Sequence, residues 1–543
     1  MSRTKETQSA SDFVERVRAN QRKLRSNLKT QYDFVICGSG SSGSVVASRL
    51  AENPAVSVLL LEAGGDEDVP SVTDASQWVT NIGSERYWQF EAEPNPHLNG
   101  RAIPLGMGKV LGGGSSINAM IWARGHKSDW DFFASETGDP AWGYESVLDT
   151  YRRIEDWQGA PDPGYRGTGG PVFVQPPRDP NPAGRAVFEG IHSLGIPIFE
   201  NQNGRIMESA GGASSPDVRI RDGIRQSVFR SYVFRHMDRP HLTVLPHTLV
   251  TRLTFEANRT TGVEISYEGS TRRIRAGREV ILSLGAIHTP KVLMQSGIGD
   301  QAELQRFGIP VVQHLAGVGH GFQDHPAFCC LWEGSQSLSP SLVPDVVIYW
   351  KSDPGLASPD FQILQAVLSA EVAGQFGLPA GGWGLIGNVV QPKSRGRIRL
   401  TGADPADPVQ IEANYLSEPA DRKAAFACVE LCREIGNSGA LRPFVGREII
   451  PGNLERQDLE NYIRDTAFSF WHHTSTAKMG RDAMCVVDGD LKVYGVDNLR
   501  IADGSIMPRV TTGNTMAPCV IIGERAAEII RNQHQIGALS AAR

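Results

Sequence analysis

The apolar residues fall into short runs bounded by glycine. Tyr32–Cys37 and Val56–Leu61 are two of them, and they predict buried strands. A glycine loop separates them, followed by an expected helix over 44–52. Val280–Leu284 and Leu499–Ala502 have the same character, each followed by a turn and a helix. Val343–Trp350 and Gly396–Leu400 alternate or are β-rich, and so predict half-covered strands. Longer helices are expected over Arg422–Ile435 and Met516–Gln533. The Pro- and Gly-rich stretch Pro161–Pro182 reads as a long surface connection. In the first 30 residues, Phe13, Val14, Val17, Leu24 and Leu28 form one weak helical stripe.

Composition narrows the class. At roughly 100–200 residues per domain, 543 residues suggest two to four domains. Glycine is over-represented, which points to tight turns or to backbone lying close to a ligand. A net charge of −6 offers no basic field for nucleic acid. No apolar run approaches the ~18 residues of a membrane span. The seven cysteines include no C-x-x-C, which points to free thiols in a reducing compartment, the cytoplasm. Cys428 and Cys432 read as core packing, and no histidine spacing suggests a metal. Residues 1–30 carry eight Lys/Arg and three Asp/Glu without an apolar stretch. They read as a helical extension lying on the surface, not a secretory signal; the acids argue against a transit peptide.

Gly38-Ser39-Gly40-Ser41-Ser42-Gly43 follows a strand and opens a helix. Gly38 permits the tight turn, Gly40 lets backbone approach a pyrophosphate, and Gly43 lets helix pack on strand. The helix N-terminus supplies free N–H groups and partial positive charge for phosphates, with Ser42 beside them. Glu62 closes the next strand, where a carboxylate can accept both ribose hydroxyls and repel a 2′-phosphate. The unit therefore predicts a dinucleotide that is not NADP.

Which dinucleotide is decided further along. Gly108-Lys109-Val110-Leu111-Gly112-Gly113-Gly114-Ser115-Ser116-Ile117-Asn118, continuing through Trp122, Gly125 and Asp131, resembles the first signature of the glucose–methanol–choline (GMC) oxidoreductases. Gly285-Ala286-Ile287-His288-Thr289-Pro290 through Gly299 resembles the second. Gly317-Val318-Gly319 with Gln323-Asp324-His325-Pro326 resembles a further family stretch. These motifs and the C-terminal ones cover residues 31 to 535. The resemblance implies FAD, held by Gly38, Gly40, Ser42, Gly43, Glu62, Gly108, Gly113, Gly114, Ser115, Asn118, Ala119, Asp503, Asn514 and Thr515. Ile117 stands where some members have a flavin-bonded His, which implies noncovalent FAD.

The implied fold is α/β. A discontinuous Rossmann-like FAD-binding domain (31–150, 240–330 and 477–535) would carry an inserted α+β substrate domain (151–239 and 331–476) on an antiparallel sheet. Residues 1–30 would be the helical extension, and the assembly a monomer or homodimer.

Trp471-His472-His473-Thr474-Ser475-Thr476-Ala477-Lys478-Met479-Gly480 resembles the family's active-site segment. Aligned on Met479-Gly480, the family's histidine falls on His472. The chain departs from the pattern at His473 and at Ser475, where the family usually has Gly. Asn514 falls where the family places an Asn or His beside that histidine. A neutral histidine can take the hydroxyl proton of an alcohol. Asn514 can hold the oxygen and aim the carbon at the flavin, and the N-terminus of the 516–533 helix would favour negative charge there. Trp471 and His473 are assigned to the substrate pocket. His320 and His325 read as structural contacts near the FAD, and His288 as a strand-to-helix turn residue.

Leu111–Phe133, Met294–Gln313 and Trp471-His472 most resemble the pyridoxine 4-oxidase and furfuryl or aryl alcohol oxidase branches. The expected reaction is oxidation of an aromatic or heteroaromatic primary alcohol to the aldehyde, with O2 as acceptor giving H2O2. The alternatives are a choline- or aliphatic-alcohol dehydrogenase using a quinone-type acceptor, and a flavin-containing cyanohydrin lyase.

Overall fold

A computed structural model of the chain describes residues 2–178, 181–334, 340, 342–367, 374 and 382–537. Two seven-stranded sheets organise it. In the first, Leu242–Leu245, Val58–Leu61, Gln31–Cys37 and the C-terminal half of Ser270–Leu282 run parallel in that order. Leu499–Ile501 joins Ser270–Leu282 in the same direction. Every residue from Phe34 to Cys37 and from Val58 to Leu61 is fully buried, as a sheet covered on both faces requires. The N-terminal half of Ser270–Leu282 leaves this layer to form an antiparallel meander with Arg259–Tyr267 and Thr248–Glu256.

Helices Ser41–Leu50 and Met516–Gln533 pack together on this sheet. A Cβ on Gly523 would lie 2.7 Å from Ser42 O, so the two backbones meet without a side chain between them. Most strand and helix positions expected from sequence are met within a few residues, and Met516–Gln533 matches at both ends, whereas the strand expected at Val280–Leu284 is the end of the longer Ser270–Leu282.

The second sheet is antiparallel throughout, in the order Val445–Ile450, Pro326–Gly334, Trp383–Val389, Phe361–Val367, Val346–Trp350, Gly212–Ser214. Phe468–Ser469 pairs with its Pro326–Ala327 end and delivers the chain to Trp471. Helix Pro419–Gly436 covers this sheet with Cys428 and Cys432 buried in its face.

Two expectations are corrected. The stretch 161–182 is not simply a surface connection: Val172–Val174 pairs in parallel with Glu155–Trp157, and Arg166 is buried between Glu155 and Asp217. Its residues 179–180 lie outside the described ones. His288 is not a turn residue but lies inside helix Gly285–Gln295, against Trp88 and Phe90.

The N-terminal helix Ser2–Ser26 lies along the outer edge of the first sheet. Gln21, fully buried, donates to Met237 O and Leu242 O and accepts from Val244 N. Arg25 donates to Val244 O at 2.9 Å. No described helix is long and apolar enough to cross a membrane.

Candidate active site

Strand Gln31–Cys37 ends at Gly38, whose φ of +97° turns the chain into helix Ser41–Leu50. A side chain on Gly38 would collide with Ser283 O, and one on Gly43 with Gly38 O. Gly40 differs, because a Cβ there meets no atom of the described residues within 4 Å, and the same holds at Gly114. Gly113 brings the two loops together, since its Cβ would lie 2.8 Å from Gly40 Cα. A side chain on Gly108 would in turn strike Gly113. Bare backbone at a helix N-terminus suits a diphosphate.

This strip continues along half-buried Ile117, Asn118 and Ala119. Asn118 Nδ2 lies 3.2 Å from Met516 Sδ, at the start of helix Met516–Gln533. Asn514 and Thr515, both half-buried, immediately precede that helix. Asn514 Nδ2 lies 3.2 Å from His472 Nε2. Contacts thus run unbroken from Gly40 to His472, and the surface has the backbone donors and two helix N-termini that FAD requires.

Not every candidate turns its side chain to that surface. Ser42 Oγ donates to Cys519 O at 2.7 Å, tying the two helices together. Ser115 Oγ donates to Gly112 O and accepts from Val228 N. Glu62 is buried and accepts from Ser39 N and Oγ on one oxygen and from Gly64 N on the other. Burial raises its pKa against those bonds. Asp503 accepts from Gly285 N, Thr289 Oγ1 and Ser505 N, and so joins the first-sheet strand ends. Burial raises its pKa too.

The catalytic candidates centre on Asp324, which the antiparallel bridge Gln323–Thr474 sets against the His472 segment. Asp324 Oδ1 accepts from the backbone N–H of both His325 and His472 at 2.7 Å. Its Oδ2 accepts from Ser469 Oγ at 2.6 Å and from Tyr415 OH, with His473 Nε2 at 3.3 Å. Burial pushes the Asp324 pKa up, but His473, Ser469 and Tyr415 together outweigh it and hold the carboxyl well below its ordinary value. His473 therefore faces Asp324, with Phe322 stacked on its ring, while His472 faces the other way.

His472 is buried, with Nε2 toward Asn514 and Nδ1 2.9 Å from His325 Nδ1. One of those two Nδ1 atoms must donate and the other accept, so only one ring carries a proton there. Burial, then the neighbouring His325, lowers the His472 pKa well below 6.5. Burial likewise lowers that of His325. Sequence reasoning left His325 as a structural contact, whereas the structure places it on the ring of the candidate base. His320 lies apart, on a strand paired with Gly396–Leu400.

Trp471 is 38% exposed, with Nε1 donating to Tyr87 OH at 2.7 Å and its ring stacked on Phe470. Phe470 also meets the His472 ring edge-on, so an aromatic wall adjoins the base. Trp471 and Ser475 hold φ values of +59° and +74°. The second explains why glycine is usual at Ser475 in the family, since that backbone favours it.

Comparison with known proteins agrees with this geometry. Family models described as GMC oxidoreductase match residues 32–327 and 392–523. The chain belongs to the GMC oxidoreductases. It is 37% identical over 531 residues to an oxygen-dependent choline dehydrogenase of Sinorhizobium medicae, covering 92% of this chain and 95% of the relative. The corresponding protein of Brucella anthropi is 35% identical over 528 residues, with the same coverage of both chains, 92% and 95%. Among solved structures, pyridoxine 4-oxidase from Mesorbium loti superposes with a TM-score of 0.87 at 30% identity, covering 93% of this chain and 100% of that one. A formate oxidase superposes at 0.85 and 25% identity, with coverage of 93% and 99%. The chain is accordingly an FAD-dependent oxidoreductase acting on CH–OH donors.

Proposed function

We propose that the protein oxidises an aromatic or heteroaromatic primary alcohol to its aldehyde, with O2 as final acceptor and H2O2 as product. The observation that carries the alcohol chemistry is the contact of buried His472 with half-buried Asn514, reached from the glycine loops without a break. With Asn514 Nδ2 donating to Nε2, the His472 proton sits on Nδ1 and is donated to His325 Nδ1. Nε2 then keeps a lone pair directed at the site. When substrate enters, Asn514 moves its hydrogen bond to the alcohol oxygen and His472 Nε2 takes the hydroxyl proton. Bound FAD, held noncovalently by the Gly38–Gly43 and Gly108–Ala119 segments, supplies the two-electron acceptor. His325 keeps the imidazole in one tautomer, and the Asp324 carboxylate anchors the His472 backbone.

The wall of Phe470, Trp471 and Tyr87 supports a flat aromatic substrate by stacking. A second reading is favoured by the sequence relatives, whose names give choline as substrate, and a cationic headgroup can also lie on aromatic rings. Against it, the carboxylate hydrogen-bonded to the His472 segment, Asp324, is already engaged by five donors. The seven cysteines, none disulfide-bonded, support a cytoplasmic setting.

The test is to mix the holoenzyme anaerobically with pyridoxine, benzyl alcohol, furfuryl alcohol, choline and mandelonitrile, and then admit oxygen. Bleaching of the flavin by the aromatic alcohols, with recovery and peroxide on aeration, is expected. Bleaching by choline alone would replace the substrate assignment. Recovery only with an added quinone would make the protein a dehydrogenase. Cyanide release without bleaching would make it a lyase.

A further inference from the structure

Arg219 and Arg225 lie behind the Gly108–Ala119 segment, each 1% exposed. Arg225 Nη1 donates to Ser115 O, Asn118 O and Asn118 Oδ1, and its Nε to Val72 O. Arg219 Nη2 donates to Ser227 O and Ser231 Oγ, and its Nη1 lies 3.7 Å from Met516 Sδ. Both therefore touch residues of the cofactor strip or of the helix that ends it. Arg219 Nε and Arg225 Nη2 are buried with no acceptor among the described residues.

Among the described residues neither guanidinium forms an ion pair. Arg219 feels the field of Tyr232 and then Glu67, and Arg225 that of Glu67, so Glu67 is the one carboxylate named for both. Glu67 is itself paired with Arg230 at 3.2 Å and accepts from the Ser227 hydroxyl. One buried carboxylate thus faces three guanidinium groups. Burial lowers the pKa of Arg219 to about 10 and of Arg225 to about 9, so both still carry charge at neutral pH. Surface pairs cost little to leave unmatched, but a buried unmatched guanidinium is strongly unfavourable. Such a pair persists only where something in the working protein balances it.

We infer that Arg219 and Arg225 are a buried electropositive floor whose counter-charge is an anionic part of bound FAD. That anion is either the diphosphate or the charge that the ring gains on two-electron reduction. This rests on the assignment of Gly108–Ala119 and the start of helix Met516–Gln533 to the cofactor. The two arginines act through that segment as positioning and charge-setting residues, not as catalytic ones.

The test uses Arg219→Met, Arg225→Gln and Arg225→Lys, with Gly114→Val as a probe of where the cofactor lies. The readouts are the flavin-to-protein ratio as purified, the temperature at which flavin fluorescence appears, and the midpoint potential. If the diphosphate is the match, Arg219→Met and Arg225→Gln should each weaken FAD retention about tenfold or more, ~1.4 kcal/mol. If the reduced ring is the match, retention holds and the midpoint falls by about 30 mV per tenfold change. Arg225→Lys keeps the charge and should stay near the parent in both. Parent-like retention and potential in Arg219→Met would overturn the inference, as would Arg225→Lys failing as badly as Arg225→Gln. Should the Arg225 variants not fold, Arg219→Met decides, because Arg219 makes no hydrogen bond to Ser115 or Asn118. Loss of FAD in Gly114→Val, with neither loss of FAD nor a lowered midpoint in Arg219→Met, sinks the arginine inference alone. Retention in Gly114→Val as well sinks the cofactor assignment beneath it.

Discussion

Replacing His472 by alanine removes the one ring that joins Asn514 to His325. General-base catalysis contributes about 100- to 10,000-fold, or about 2.7 to 5.5 kcal/mol of barrier. The rate of anaerobic flavin reduction should fall by that range. The deletion also leaves His325 Nδ1 and Asn514 Nδ2 without their partner, at about 1–3 kcal/mol of stability for each buried group. Rates should therefore be read at a temperature where the variant is folded and fully loaded with flavin. Stopped-flow absorbance of the oxidised flavin gives the rate directly. His473→Ala is the control, because its ring contacts Asp324 and Phe322 rather than Asn514. It should lose stability but keep reduction within about tenfold of the parent, since it takes no proton. The pH profile adds a second check. A base must be unprotonated, and burial places the His472 pKa well below 6.5. Falling pH therefore leaves it competent longer than an ordinary histidine, and the acid limb of kcat/KM should lie well below pH 6.5. Reduction in His472→Ala within about tenfold of the parent, or loss confined to His473→Ala, would refute the assignment.

Asp324→Asn should destabilise the fold by about 3 kcal/mol or more at neutral pH, because it removes a buried carboxylate that accepts from His325 N, His472 N, Ser469 and Tyr415 and faces His473. The depressed pKa of Asp324 means its contribution is full above the ordinary carboxylate range and is lost as pH falls through the folded value. Urea melts of parent and variant should therefore converge in strong acid. Gly43→Ala puts a methyl group into Gly38 O and should yield protein with little flavin, read from the ratio of visible to ultraviolet absorbance. Tyr87→Phe removes the acceptor of Trp471 Nε1 and should lower kcat/KM for an aromatic alcohol by up to about tenfold, from about 0.5–1.5 kcal/mol. The flavin content should not change; loss of flavin would mean that Tyr87 supports the cofactor instead.

What could be read from sequence was whatever depends on neighbours along the chain. Gly38–Gly43 sits between two buried strands, and each glycine answers a local demand of turn or close packing. Helix Met516–Gln533 opens on a continuous apolar run, Met516 to Gly523, long enough to be read as one element. His325 escaped because its partner lies 147 residues away, brought in by the bridge of Gln323 to Thr474. The run Gln323-Asp324-His325-Pro326 was visible, but nothing local says that its acid accepts from a second histidine segment. The Ser475 departure from glycine also had no local meaning until its positive φ was known. The 161–182 stretch misled for the opposite reason, since its Pro and Gly content hides a buried arginine whose acids lie outside it at 155 and 217. Strand Leu242–Leu245 was missed because four residues give too little pattern to separate strand from buried helix.

The N-terminal helix has a consequence for how the molecule behaves among its own copies. Leu242–Leu245 is the outermost strand of the parallel sheet, and its outward amide and carbonyls at 242 and 244 would otherwise form a row ready to pair with another chain. The side-chain amide of Gln21 copies a neighbouring strand, donating and accepting once each across that edge, and Arg25 takes the remaining carbonyl. The weak apolar stripe is thus only half of what fastens this helix. Its side chains occupy the groups through which strand addition proceeds, so a chain trimmed to the start of the glycine-loop strand should expose an adhesive edge.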